Sequence, residues 1–136
     1  MIIVLDTNVL VSGLLSALGP PARILELAVK GQVSLAMDER IWDEYAAVCA
    51  RPEFGFPQNL VAELLKSLGK EALWVKAEPL ADKLPDPEDL KFLEVAVAAG
   101  ADAVVTGNKR HFPALRHSTP VLSPAEFMRK LESGPD

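Results

Sequence analysis

At 136 residues, 49% hydrophobic and 24% charged, the chain is long enough to bury a full core without staples, and its composition is that of an ordinary soluble globular protein. Nineteen acidic against 14 basic residues leave a net charge of −5, which counts against a generic nucleic-acid binder because such proteins are basic. Two bound divalent cations would offset most of that excess. The single cysteine, Cys49, excludes an internal disulfide, and no Cys/His cluster has zinc spacing, which fits a reducing, cytoplasmic setting.

Residues 2–18 are mostly apolar but lack the positively charged start of a secretory signal, and Asp6 and Asn8 interrupt them. No stretch elsewhere is long and apolar enough to span a bilayer. The expectation is one domain over residues 1–136, with its core at about 2–127 and a frayed tail at 133–136.

In chain order, Ile2 to Leu5 reads as a strand buried on both faces, stopped by Asp6-Thr7-Asn8. Val9 to Leu18 reads as a short apolar helix, ended by Gly19-Pro20-Pro21. A second helix runs from Pro21 to Lys30 with Gly31 just past its end. Val33 to Ala36 is a second strand. Asp38 caps a helix from Glu39 to about Ala50, whose apolar stripe is Ile41, Tyr45 and Val48. Glu44 falls on that stripe, whereas Glu39 and Asp43 do not.

A loop at Glu53–Pro57 leads to an amphipathic helix from Leu60 to Leu68, ended by Gly69, and then to an edge strand at Ala72–Val75. A proline-rich loop from Glu78 to Pro87 opens the helix Glu88–Ala99. There Phe92, Leu93 and Ala96 form the inner stripe, and Asp89 shares that side one turn earlier. Ala103 to Thr106 is a fourth strand, ending in Thr106-Gly107-Asn108. A helical turn follows at Lys109–Leu115, then a short strand at Val121-Leu122. Ser123-Pro124-Ala125-Glu126 is a capping box opening a last helix. Short apolar strands alternating with helices imply an α/β fold: a three-layer α/β/α sandwich with a central parallel sheet of four to five strands.

Three acids, Asp6, Glu44 and Asp89, lie at inward or strand-end positions that a protein without use for charge would avoid. Gathering carboxylates raises a pKa or requires a cation. Mg²⁺ and Mn²⁺ favour such oxygen ligands and can drive phosphodiester hydrolysis. Each acid also has a plainer reading. Asp6 suits an Asx turn at the strand end, and Glu44 can reach solvent past the edge of its stripe. Asp86 suits an N-cap with Asp89 at the acidic third position, and Asn108 caps the turn after it. Lys109, Arg110, His111 and Arg51 are candidate phosphate contacts or ordinary surface charges. Few aromatics argue against an extended base-stacking platform.

The segments DTNVL, an inward glutamate on a helix, DPEDLKFLEVA and ADAVVTGN, in that order over residues 2–127, together resemble the PIN-domain family. The chain most resembles the branch described as toxin components of toxin–antitoxin systems. The resemblance implies a Mg²⁺- or Mn²⁺-dependent ribonuclease with an acidic site at the C-terminal edge of a parallel sheet. By position, Asp6, Glu44 and Asp89 match the metal-binding acids, with Asn8 and Thr106 as supporting polar residues. Asn108 stands where the family commonly has a fourth acid, an expected catalytic position that here adds no charge, so that Asp86 is the neighbour able to compensate. The resemblance also implies an RNA substrate, a cognate antitoxin protein and a homodimer.

Two further readings stay open. One is a weakly active or inactive PIN-fold module that binds RNA or protein, which Asn108 and the acidic balance favour. The other is phosphatase chemistry with Asp6 as nucleophile, ranked low because the second acid it needs is Asn8. A dinucleotide site ranks lower still, since no G-x-G-x-x-G follows the first strand.

Overall fold

The computed structural model describes residues 1–113, 117 and 119–134. Its elements are β1 (Ile2–Leu5), α1 (Thr7–Leu15), α2 (Pro20–Val29), β2 (Ser34–Met37), α3 (Glu39–Cys49), α4 (Gln58–Glu71), β3 (Leu73–Trp74), α5 (Leu90–Ala99), β4 (Ala103–Val105), β5 (Val121–Leu122) and α6 (Pro124–Glu132). Single 3₁₀ turns stand at Pro52–Phe54, Pro87–Asp89 and Lys109–His111. The strands form one parallel sheet in the order β3-β2-β1-β4-β5. The expected α/β/α sandwich is therefore the observed one, with five strands.

β1 is central because its Ile3, Val4 and Leu5 are fully buried, which only a strand covered on both faces allows. Register pairs Ile3 with Leu35 on one side and with Ala103 on the other. The chain steps from β1 outward to β3, then returns across the sheet to β4. The order thus reverses between β1 and β4, and right-handed crossovers put the outgoing and returning helices on opposite faces. α5 lies across β1, β2 and β4, while α2 packs on α1, α4 and α6. Open α/β sheets leave a crevice at such a reversal, beyond the carboxyl ends of the strands.

The boundaries differ from the sequence expectation in instructive ways. α1 begins at Thr7, directly after Asp6, and stops at Leu15. Leu18, 86% exposed, has no apolar surface to pack on, so helix there would bury nothing. The helix expected from Glu88 starts at Leu90, behind the 3₁₀ turn. β4 ends at Val105, although Thr106 still donates its N–H to the Leu122 carbonyl. Of the turn expected over Lys109–Leu115, residues 114–115 lie outside the described residues, as do 135–136 of the tail.

The largest difference is Gly69, expected to end a helix but sitting inside α4. A β-carbon there would come within 2.8 Å of the Trp42 ring. Trp42 lies against Trp74 at 5.6 Å between ring centres, and the Trp74 indole N–H donates to the Gly69 carbonyl at 2.9 Å. Glycine is there for close approach, not for termination. Gly69→Ala is therefore expected to destabilise the fold by about 1–3 kcal/mol, the cost of overpacking, against the gain of about 1 kcal/mol that helix propensity alone would give. Urea unfolding of the two proteins reads the sign directly.

Candidate functional site

The site is built at the sheet reversal. Asp6 ends β1, its N–H donating to the Val105 carbonyl at 2.9 Å, and its side chain is only 5% exposed. At the N-terminus of α1 it makes no side-chain capping bond, so the turn reading of Asp6 does not describe its carboxylate. Instead Asp6 Oδ2 accepts from the Thr106 hydroxyl at 2.7 Å, across the ends of the two central strands. Thr106 Oγ1 also accepts from the Asn108 N–H at 3.0 Å. Asn8 Oδ1 accepts from the Gly107 N–H at 3.1 Å. The start of α1 and the loop after β4 are thereby tied together around Asp6.

Glu44 comes in from the middle of α3. The expected inward stripe holds for Ile41 and Tyr45 but not for Val48, which is half-buried; Cys49, one residue on, is the buried member instead, and the Tyr45 hydroxyl donates to the Leu5 carbonyl, next to Asp6. Glu44 keeps 27% of its side chain exposed, yet both its carboxylate oxygens are held by protein groups. One carboxylate oxygen accepts from the Thr7 hydroxyl, and the other lies 2.7 Å from Lys91 Nζ.

Asp89 ends the turn before α5 and is 8% exposed. Its Oδ2 is buried and has no hydrogen bond. His111 Nδ1 stands 3.1 Å from that oxygen but out of line for one. Asp86 is the expected N-cap, accepting from the Glu88 N–H at 2.9 Å. Asn108 does not cap the turn after it. Its amide nitrogen meets His111 Nε2 at 3.0 Å. His111 thus lies between Asn108, at Nε2, and Asp89, at Nδ1.

Electrostatics mark the same residues. Burial pushes the Asp6 carboxyl above its ordinary value; the Thr106 hydroxyl opposes this and the charge on Glu44 adds to it. Burial, then the charges of Asp6 and Asp86, push Asp89 up to about 6, against the pull of His111. The Tyr45 hydroxyl is driven well up by burial and by the charges of Asp6 and Glu44. Asp6, Glu44 and Asp89, from three distant segments, thus occupy one electrostatic neighbourhood.

Hard oxygen donors with raised pKa values, one of them an orphaned buried oxygen, are the donor chemistry that a divalent cation satisfies. Asp6 and Asp89 fit such an ion. Glu44 fits less directly, because both its oxygens are engaged. Among the described residues no three His, Cys, Asp or Glu side chains stand grouped as a ready cage. The residue that sequence reasoning passed over is Lys91, 8% exposed, which also meets the Glu88 carbonyl. Its signal was there: Lys91 and Glu94 are the only charges in the helix LKFLEVAVAA, and both are buried. Glu94 pairs with Arg40 at 2.7 Å.

A carboxyl whose folded pKa lies above its unfolded value stabilises the fold below about pH 4 and loses that contribution as pH rises through about 6. Asp89→Asn keeps the shape without the charge. It is expected to stabilise the metal-free protein by roughly 1–3 kcal/mol at neutral pH and by nothing near pH 4. Denaturant titrations at the two pH values check this.

The PIN-domain family model matches residues 2–110, which contain Asp6, Glu44, Asp89, Lys91, Thr106 and Asn108 and stop one residue short of His111. An uncharacterized protein of Methanocaldococcus jannaschii is 26% identical over 110 residues, covering 79% of this chain and 70% of that protein. Among the described residues no single helix is long and apolar enough to cross a membrane. With the family model matching residues 2–110, most of its length, the chain belongs to the PIN-domain family, a family of nucleases that typically use divalent metals.

Proposed function

We propose that the chain is a Mg²⁺- or Mn²⁺-dependent endoribonuclease acting at Asp6, Glu44 and Asp89. The observation that carries this is the pair of buried carboxylates, Asp6 and Asp89, both pushed toward protonation, with Asp89 Oδ2 lacking a hydrogen bond. Asp6 and Asp89 would hold the ion, with Glu44 beside them. Once bound, it would supply an activated water and offset charge building on a phosphodiester. Thr106 fixes the orientation of Asp6. Asn8 holds the loop of Gly107 in register with α1. Asn108 contacts His111, so that this uncharged corner reaches Asp89 through the imidazole.

Lys91 supports a single ion. Its ammonium neutralises Glu44 in a site where Asn108 has already removed one acid, so little negative charge remains for a second cation. Asp86 spends its carboxylate on a cap and adds charge only at a distance. The same two features favour the second reading, a non-catalytic PIN-fold module that binds RNA or protein. Phosphatase chemistry at Asp6 stays disfavoured, since Asn8 is an amide engaged by Gly107. By family resemblance the finer reading is the cytoplasmic toxin of a toxin–antitoxin pair, working as a homodimer with a small protein inhibitor; growth arrest on expression, relieved by Asp6→Ala, tests it.

Cleavage of a panel of RNAs with Mg²⁺ or Mn²⁺ is expected for wild type. Asp6→Ala and Glu44→Ala should lose more than the roughly 10–100-fold that removing an outer partner costs, and Thr106→Val should fall within that range. Equal residual cleavage by wild type and both alanine variants would mean a contaminating nuclease and end the reading.

Calorimetry with Mn²⁺ separates the two classes. One site is expected in wild type and a second in Lys91→Met, where Glu44 is released. No binding at millimolar metal would favour the non-catalytic module.

A further inference from the structure

Beside the acidic centre runs a groove of about 400 Å³ lined by Thr7, Asn8, Val11, Val48, Arg51 and Phe54. It is continuous with the candidate site, because Thr7 both lines it and donates its hydroxyl to Glu44. The helices that form its walls explain its direction. Glu44, Val48 and Arg51 follow one another at spacings of four and three, so they fall on one stripe running off the end of α3. That stripe carries the groove about 10 Å along the helix axis, from the carboxylate to the guanidinium. Thr7 and Val11 form the matching stripe on α1, one turn apart. The 3₁₀ turn at Pro52–Phe54 closes the far end, where the Phe54 ring stacks on Phe56 at 5.4 Å and 12° between planes.

The lining has two characters. Val11, Val48 and Phe54 offer an apolar wall with an aromatic ring already held by its neighbour. Asn8, whose carbonyl oxygen is taken by Gly107, keeps its amide hydrogens for another acceptor, and Ser12 adds an exposed hydroxyl. Arg51 supplies the charge, and here the rest of the molecule is informative. Arg40 is held by Asp38 and Glu94, Lys91 by Glu44, and Lys109 by Glu126. Arg51 is exposed and has no carboxylate partner among the described residues, as is also true of Lys66, Lys70 and Arg129 among others; it differs from them in lining this groove. In a chain of net charge −5, a cation placed on the lining of a groove that starts at the acids marks where an anion is received.

We propose that this groove is a nucleotide subsite: it seats the base next to the scissile phosphate against Val48 and Phe54, with the following backbone phosphate on Arg51. The assignment rests on the nuclease reading and gives its substrate a direction, as a single strand leaving the centre along α3 toward Arg51. A duplex would not suit it, since a base must leave its stack to meet the ring.

The test measures binding apart from cleavage. A fluorescein-labelled single-stranded RNA of about a dozen nucleotides is titrated with the full chain carrying Asp6→Asn, in Mg²⁺, and its anisotropy is followed. In that background, Phe54→Ala is expected to weaken binding about tenfold, as loss of one stacked base does. Arg51→Ala should weaken it several-fold and reduce the slope of log affinity against log salt by about one. Ser12→Trp, an exposed position on the groove wall, should block binding by filling the space without touching the core. Lys66→Ala, an exposed cation on α4, should change nothing. Equal affinity for all groove variants, or an equal loss in Lys66→Ala, would overturn the subsite. So would absence of any RNA binding in the parent. Cleavage assays keep the two readings apart: wild-type cleavage with an unchanged KM in Arg51→Ala and Ser12→Trp sinks the subsite and spares the nuclease. Cleavage that survives Asp6→Ala unchanged sinks the nuclease whatever the groove binds.

Discussion

The Thr106 hydroxyl donates to the Asp6 carboxylate across the ends of β4 and β1, and the organisation of the site follows from that contact. Those two strands are neighbours only because the chain reverses direction across the sheet between them. The reversal opens the crevice, the strand ends deliver Asp6 and Thr106 to its floor, and the hydroxyl keeps a buried carboxylate in a fixed orientation. From there the constraint spreads outward. Thr106 receives the Asn108 N–H, Asn108 meets His111, and His111 faces Asp89. Thr7, the next residue after Asp6, holds Glu44.

Such an arrangement works against the stability of the fold. Burying carboxylates near one another favours their protonated forms, and the cost is visible in Asp6 and Asp89. The protein relieves the strain unevenly. Glu44 receives a full cation from Lys91, itself almost wholly buried, whereas Asp89 is left with an unaligned imidazole and an oxygen lacking a hydrogen bond. A purely structural cluster would be expected to settle all its members. The imbalance puts the unmet demand for positive charge on Asp6 and Asp89.

Beyond the acids, the surface divides its cations into those spent on the fold and those left over. Arg40 braces α3 to α5 through Glu94, whose other oxygen accepts from the Leu80 N–H and so holds the loop before α5. Arg51, at the far end of the Glu44 stripe, has no such duty. α3 brings an acid into the centre and the turn after it places a cation at the groove's end, a pattern that suits a charged polymer crossing the site.

Most of the fold was legible in the sequence because burial writes itself into local pattern. Fully apolar four-residue runs such as IIVL imply a doubly covered strand, and Gly, Pro and capping residues set most element ends within a few positions. Asp6, Glu44 and Asp89 stood out because each placed a charge where the pattern called for none. Gly69 was misread because its reason lies in Trp42, 27 residues away in sequence but against it in space. Lys91 was missed, and with it the partner of Glu44, because which charge meets which depends on how α3 crosses α5. Periodicity fixes the face of a helix but not its partner. The sequence by itself therefore determined the sheet, the helices and the inward placement of Asp6 and Asp89, but not that of Glu94. Only the tertiary structure decided that Lys91 takes Glu44, that Asp89 keeps an unsatisfied oxygen, and that Arg51 ends a groove, since pairings between distant segments are set by packing, which local pattern does not encode.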